Sequence, residues 1–185
     1  VGKSTLMNTL VGEKLSIITS KAQTTRHRIQ GVVSADNFQI IYSDTPGILD
    51  PHYKLQEKML RYIDIALEDA DIILYITDVK EKYDKHEKYL SRIAGARVPV
   101  LLVINKIDLE SEEEVAKLVG TWEKLLPDAW VIPASALKGY NLTAIFDKIL
   151  ELLPESPPYY PQDTLTNRTE RFFVSEIIRE KIFLN

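Results

Sequence analysis

The chain opens Val1-Gly2-Lys3-Ser4-Thr5. Gly-Lys-Ser is the second half of a phosphate-binding loop of the form G-x-x-x-x-G-K-[ST]. In such a loop, backbone N–H groups at the start of a helix point at phosphate oxygens. Gly2, with no Cβ, lets the backbone come close. Lys3 would neutralise the β- and γ-phosphates, and the Ser4 hydroxyl would hold Mg²⁺ between two of them. Leu6, Met7, Leu10 and Val11 follow at helical spacing, so a helix is expected after the turn. The earlier glycine of the motif, and the buried strand before it, would lie ahead of Val1. The tetrapeptide alone equally suits a surface lysine before a helix, and the rest of the chain has to decide.

Composition sets bounds. A chain of 185 residues with 45% hydrophobic residues can build one sizeable core, with part of a second domain. Lys+Arg 23 against Asp+Glu 27 gives a net charge of -4, which is no global footprint of a nucleic-acid binder. The chain has no cysteine, which excludes a disulfide framework, thiol catalysis and Cys-ligated zinc, and suits a reducing cytosolic setting. His27, His52 and His86 are scattered, without metal-ligand spacing. No apolar run is long enough for a membrane-spanning helix.

Residues 13–28 read as a long polar loop. Ile29–Ala35 and Phe38–Tyr42, separated by Asp36-Asn37, predict an antiparallel hairpin. It runs into Asp44-Thr45-Pro46-Gly47, a second phosphate-site element. An Asp at a strand end reaches Mg²⁺, and the Gly N–H can bond the γ-phosphate. By itself Pro-Gly is also plain turn chemistry. Leu55, Met59, Ile63, Ala66 and Leu67 form a helical stripe, and Ile72–Ile76 is a continuous apolar run suited to a central parallel strand. Asp84–Ala94 reads as a charged, solvated helix. Pro99–Ile104 is another buried strand.

That strand ends in Asn105-Lys106-Ile107-Asp108. The Asp108 carboxylate can accept two parallel hydrogen bonds from the N1–H and 2-amino group of guanine. Adenine offers no such donor pair and would leave the carboxylate unpaired. Asn105 would hold loops together and touch the base edge, and the Lys106 stem would lie over the ring. A helix is expected over Ser111–Leu126, with Glu112, Glu113 and Glu114 complementing its dipole. A short strand over 130–133 leads to Ala134-Ser135-Ala136, whose small residues suit tight packing and would also let backbone N–H groups approach guanine O6. Gly139 and Asn141 open a further helix. Four of the nine prolines fall between Pro154 and Pro161, marking a stiff linker and the best domain boundary. Beyond it, Arg171–Phe183 is an amphipathic segment that cannot bury its own apolar face.

Nucleotide motifs thus stand in order along the chain. Lys21-Ala22-Gln23-Thr24-Thr25-Arg26-His27-Arg28-Ile29, taken with Ser175-Glu176-Ile177-Ile178-Arg179-Glu180-Lys181, resembles the Era-like family of bacterial GTPases, within the translation-factor type. The resemblance implies an α/β P-loop NTPase G domain: a mostly parallel sheet with helices on both faces and one antiparallel edge hairpin. It places that domain over 1–155, a Pro-rich linker over 156–166, and the beginning of a KH-type RNA-binding domain over 167–185.

The implied function is that of a GTP-hydrolysing switch acting with Mg²⁺ in 16S rRNA processing and 30S subunit assembly. GTP and GDP, 16S rRNA and the 30S subunit are the implied partners. The implied setting is a cytoplasmic monomer, associating peripherally with the cytoplasmic face of the inner membrane. By resemblance, Val1, Gly2, Lys3, Ser4, Thr5, Asp44, Thr45, Pro46 and Gly47 bind the phosphates. Ser4, Thr25 and Asp44 serve Mg²⁺, with Thr24 the alternative to Thr25. Asn105, Lys106, Asp108, Ser135 and Ala136 read guanine.

Ile48 follows Gly47 where Ras-like enzymes carry a water-orienting glutamine, so no catalytic base can be named. Slow turnover, raised by a partner or an ion, is expected. The missing first strand and most of the KH domain make this sequence read as a piece of a longer protein, less stable than its parent and a poor RNA binder. Two other readings stay open: an RNA- or ribosome-docking module whose site holds no nucleotide, and an ATP-using P-loop enzyme, against which Asn-Lys-x-Asp argues.

Overall fold

The computed structural model describes residues 1–18, 24–48, 54–81 and 87–184. Lys21, Ala22 and Gln23, the end of the loop running to Tyr53, and the first residues of the charged helix expected from Asp84 lie outside the described residues. The chain divides into two compact units, Val1–Lys3 with Ala70–Glu155, and Ser4–Asp69 with Ser156–Asn185.

The first unit is built on a parallel sheet. Its strands β3 (Ile73–Asp78), β4 (Val100–Asn105) and β5 (Trp130–Pro133) pair in that order, with Asp78 in register with Asn105. In central β4, Leu101, Leu102, Val103 and Ile104 are fully buried. That explains the unbroken apolar run: a parallel strand covered on both faces has no solvent side to mark with polar residues. Around the sheet lie α3 (Glu87–Ala94), α4 (Glu112–Leu125) and α5 (Leu142–Leu152), which bury Ile93, Trp122, Ile145 and Ile149. Trp122 meets Tyr75 of β3 edge to face, with ring centroids 5.8 Å apart. Ser111 caps α4 by accepting the Glu114 N–H, and the three glutamates fill its first turn as expected.

The second unit holds all but the first residue of α1 (Lys3–Val11), the hairpin β1 (Ile29–Ala35) and β2 (Phe38–Asp44), α2 (Lys54–Glu68) and α6 (Glu170–Leu184). The hairpin turns at Asp36-Asn37, with Ala35 opposite Phe38 and Ile29 opposite Asp44. The resemblance implies an edge position for it in the mostly parallel sheet. Among the described residues it forms a two-stranded sheet of its own, because its ladder partners come from within this unit. Gly31 of β1 allows close packing: a Cβ there would stand 2.8 Å from Leu15 and 2.9 Å from Val11. Of the stripe read on α2, Met59 and Ile63 are buried together with Gln56, and Leu55 is exposed.

The Pro-rich segment does not stand off as a free spacer. Gln39 Oε1 accepts the N–H groups of Tyr159 and Tyr160, at 2.8 and 2.9 Å, and Gln39 Nε2 donates to Tyr160 O. Val32 N–H donates to Leu165 O at 2.8 Å, and Thr166 bridges Gly31 in antiparallel fashion.

Helix α6 turns two carboxylates inward. Glu176 and Glu180 are buried, and Val174, Ile177, Ile178 and Ile182 face solvent. The carboxylates have partners that explain this. Lys14 Nζ donates to Glu180 Oε2 at 2.8 Å, Ile18 N–H donates to Glu180 Oε1, and Arg179 pairs with Glu176. Arg179 also donates to Thr24 O at 2.6 Å.

Candidate functional site

The candidate residues fall in both units. In the second unit, Ser4 in the first turn of α1, Thr25 and Asp44 come together. Ser4 Oγ donates to Asp44 Oδ2 at 2.7 Å and stands 2.9 Å from Thr25 Oγ1. A hydroxyl has one proton, so Thr25 donates to Ser4. Asp44 ends β2, and both it and Thr25 are buried. Of the two candidate threonines, it is Thr25 whose hydroxyl reaches Ser4.

One carboxylate and two hydroxyls are hard oxygen donors. They suit Mg²⁺, which takes few protein ligands and completes its shell with phosphate and water. No cluster of three or more acidic, His or Cys side chains that could hold a metal stands together among the described residues. Thr45, Pro46, Gly47 and Ile48 follow Asp44 without regular structure, with Pro46 fully buried. Thr5, one residue after Ser4, accepts the Thr9 hydroxyl on its carbonyl inside α1.

In the first unit, Val1, Gly2 and Lys3 meet the Asn105–Asp108 turn. Asn105 Nδ2 donates to Val1 O at 2.8 Å, and Asn105 Oδ1 accepts the Ala136 N–H at 2.9 Å. Gly2 has φ +85, and a Cβ on it would stand 2.6 Å from Asn105 Nδ2. Its glycine character is therefore required by the asparagine as well as by any phosphate. Lys3 begins α1 directly after this turn.

Lys106 takes the left-handed backbone at φ 64, rare for a residue with a side chain, and leads into a 3-10 turn over Ile107–Leu109. Asp108 Oδ1 accepts from Ser135 Oγ at 2.5 Å, and Oδ2 has no hydrogen-bond partner among the described residues. Ile107 N–H donates to Ala134 O, and Lys138 N–H to Ser135 Oγ.

Ala136 packs against the Asn105 side chain. Its N–H, one of the amides expected near guanine O6, donates to Asn105 Oδ1. The small residues there fit a close backbone approach, and the group approaching is the asparagine side chain.

Sequence reading missed Asp78. It ends β3, and its Oδ2 accepts from Lys106 Nζ at 2.6 Å while Oδ1 accepts the Lys80 N–H. Burial works to raise its carboxyl. The hydrogen bonds from Lys106 and Lys80, with the lysine's charge, outweigh burial and hold it below the usual range. The available signal was an acid at the carboxyl end of a parallel strand, where α/β sheets place their ligand sites.

A lysine–serine turn opening a helix and an Asn-Lys-x-Asp turn clasped by a Ser-Ala strand end, on a parallel sheet, define a G domain of the P-loop NTPase fold. The chain belongs to the 50S ribosome-binding GTPase family, whose model matches residues 1–106. It is similar to the GTPase Era of Clostridium botulinum, 41% identical over 182 residues, covering 98% of this chain and 62% of the relative. Era of Clostridium kluyveri is 42% identical over the same length and coverage.

Among solved structures it resembles Era in complex with MgGDPNP and nucleotides 1506-1542 of 16S ribosomal RNA. The TM-score is 0.92 at 42% identity, over 98% of this chain and 62% of that one. A variant of Aquifex aeolicus Era bound to GDP.AlF4- matches with TM-score 0.91 at 41% identity, over 97% of this chain and 62% of that one. The chain thus spans under two thirds of the length of these relatives.

Proposed function

We propose that this chain carries the GTP-binding part of a GTP-hydrolysing switch protein. The observation that carries the reading is the Asp108 carboxylate. One oxygen is fixed by Ser135, and the other has no partner among the described residues. A carboxylate held this way is preorganised for the paired donors of guanine. Asn105 ties the turn to Val1 and Ala136, which fixes the wall around it.

Ser4, Thr25 and Asp44 would hold Mg²⁺, which when bound supplies charge neutralisation between phosphate oxygens. Gly2, Lys3, Ser4 and Thr5 would bind phosphate through the start of α1. Thr45, Pro46 and Gly47 would line the terminal phosphate. Ile48 offers no proton acceptor and no donor, so it can exclude water and cannot orient it. Slow intrinsic turnover, raised by a partner or an ion, follows from that side chain.

The similar Era protein solved with MgGDPNP and a 16S rRNA segment supports a wider reading. The whole protein would act on 16S rRNA and the 30S subunit during its assembly. Residues 1–155 would be its G domain and 167–185 the opening of a KH domain. A cytoplasmic monomer with peripheral attachment to the membrane completes the proposal.

The test is equilibrium binding of fluorescent GDP to this chain with Mg²⁺, competed by GTP and ATP. Displacement by GTP and not ATP is expected. A folded chain that takes up no guanine nucleotide would overturn the reading, and displacement by ATP would move it to another P-loop class.

A further inference from the structure

We infer that Asp78 is a positioning residue for the base site, holding Lys106 so that the lysine stem forms a fixed wall. The inference rests on the guanine-site reading proposed above. Asp78 closes β3 level with Asn105, one residue before the lysine it holds. Its two oxygens are fixed from different sides, Oδ2 by Lys106 Nζ at 2.6 Å and Oδ1 by Lys80 N–H at 3.0 Å. The Asp78 side chain is 10% exposed and that of Lys106 41% exposed. A lysine that open to solvent would ordinarily sample many rotamers.

Here both ends of the stem are set. Its root is aimed by the left-handed backbone at Lys106, and its tip is held by a carboxylate that cannot swing away. The neighbouring backbone reinforces this, because Val79 N–H donates to Asn105 O at 3.3 Å. The end of β3 therefore grips the Asn-Lys pair from one side, as Ala134–Ala136 grip it from the other. A stem of methylene groups makes face contact with a purine through dispersion and excluded water, with no base-edge readout. Asp78 therefore acts on how long a nucleotide stays. The choice between bases remains with Asp108.

The experiment is a double-mutant cycle on this chain, read as fluorescent-GDP affinity and release rate with Mg²⁺. Asp78→Ala is expected to lose about fivefold in affinity through faster release, on the scale of a half-exposed ion pair. Lys106→Ala is expected to lose at least as much. The double variant should match Lys106→Ala alone, because the lysine through which Asp78 acts on the base site is gone. Wild-type affinity in Asp78→Ala overturns the inference. So does a loss that multiplies with Lys106→Ala, which would mark a purely structural aspartate. Asp78→Asn, of the same size and lacking the charge, carries the same cycle with a smaller loss should Asp78→Ala not fold. A folded wild-type chain that binds no GDP fails the site reading itself, and is told apart by needing no variant.

Discussion

Gly2 is pressed against Asn105. A Cβ at Gly2 would stand 2.6 Å from Asn105 Nδ2, the same atom that donates to Val1 O at 2.8 Å. Gly2→Ala therefore meets two penalties, a left-handed backbone at φ +85 and a displaced asparagine. The backbone alone costs about 1 kcal/mol. A lower melting temperature together with weakened GDP binding is expected. Calorimetry beside nucleotide titration checks it, and an unchanged GDP affinity would contradict the coupling.

Asp108 offers the sharpest change of specificity. Asp108→Asn replaces an acceptor pair with one acceptor and one donor. GTP binding should fall by roughly a hundredfold or more, since a paired polar contact becomes mismatched. Affinity for xanthine nucleotides should rise, because xanthine carries an oxygen where guanine has its amino group. Parallel titrations with GDP and XDP decide it.

Ser135 holds that carboxylate through one short hydrogen bond. Ser135→Ala removes a donor to a charged group, an interaction on the order of 1.5–3 kcal/mol. About a tenfold or greater loss of GDP affinity is expected, with no gain for xanthine nucleotides. The absence of that gain separates a misplaced Asp108 from an altered one.

Thr25 and Thr24 make different predictions. Thr25→Ala deletes a hydroxyl that donates to Ser4, so the Mg²⁺ requirement of GTP binding should weaken, with about tenfold lower affinity. Thr24→Ala leaves its carbonyl in place for Arg179 and should change the Mg²⁺ titration far less. GTP titrations across Mg²⁺ concentrations check both.

Glu180 gives a pH dependence. The Lys14 hydrogen bond is the largest influence on its carboxyl and lowers it. Burial opposes, and the Ile18 N–H adds to the lowering, so the group sits below its ordinary 4.5. A lowered folded-state value means stabilisation that is complete above pH 4.5 and lost as pH falls through the lower folded value. Glu180→Gln should melt earlier than wild type at pH 7, and the gap should close as pH drops below that range. Thermal melts at several pH values measure it, and a gap independent of pH would contradict it.

Much of this arrangement was legible from local chemistry. Asp36-Asn37 between two β-rich runs gives the hairpin, and the unbroken Leu101–Ile104 run gives a buried strand, while the central place expected for Ile72–Ile76 falls to that strand among the described residues. The Asn105–Asp108 turn sits at that strand's end, where its spacing in sequence places it. These features each need only neighbouring residues to declare themselves.

What was not legible depends on distant partners. Asp78 is one acid among many until parallel register brings it level with Asn105. The hydrogen bond from the Ala136 amide to Asn105 is a contact that no spacing encodes. The face that α6 buries is also ambiguous in sequence, because helical period is the same whichever side turns inward. Lys14 and the backbone N–H of Ile18 decide it, by giving Glu180 partners that no aliphatic side chain could use.

The segment after residue 155 has a protective consequence. Leu165, Thr166 and Asn167 occupy Val32 N–H, Gln30 O and Gln30 N–H, at 2.8, 2.7 and 3.4 Å. They close the outer edge of β1 to any incoming strand. Edges left open beside β-branched residues such as Val32 and Val33 template self-association. Proteolytic nicking within 156–164 should therefore turn a monodisperse chain into one that aggregates through β1, well before its core melts.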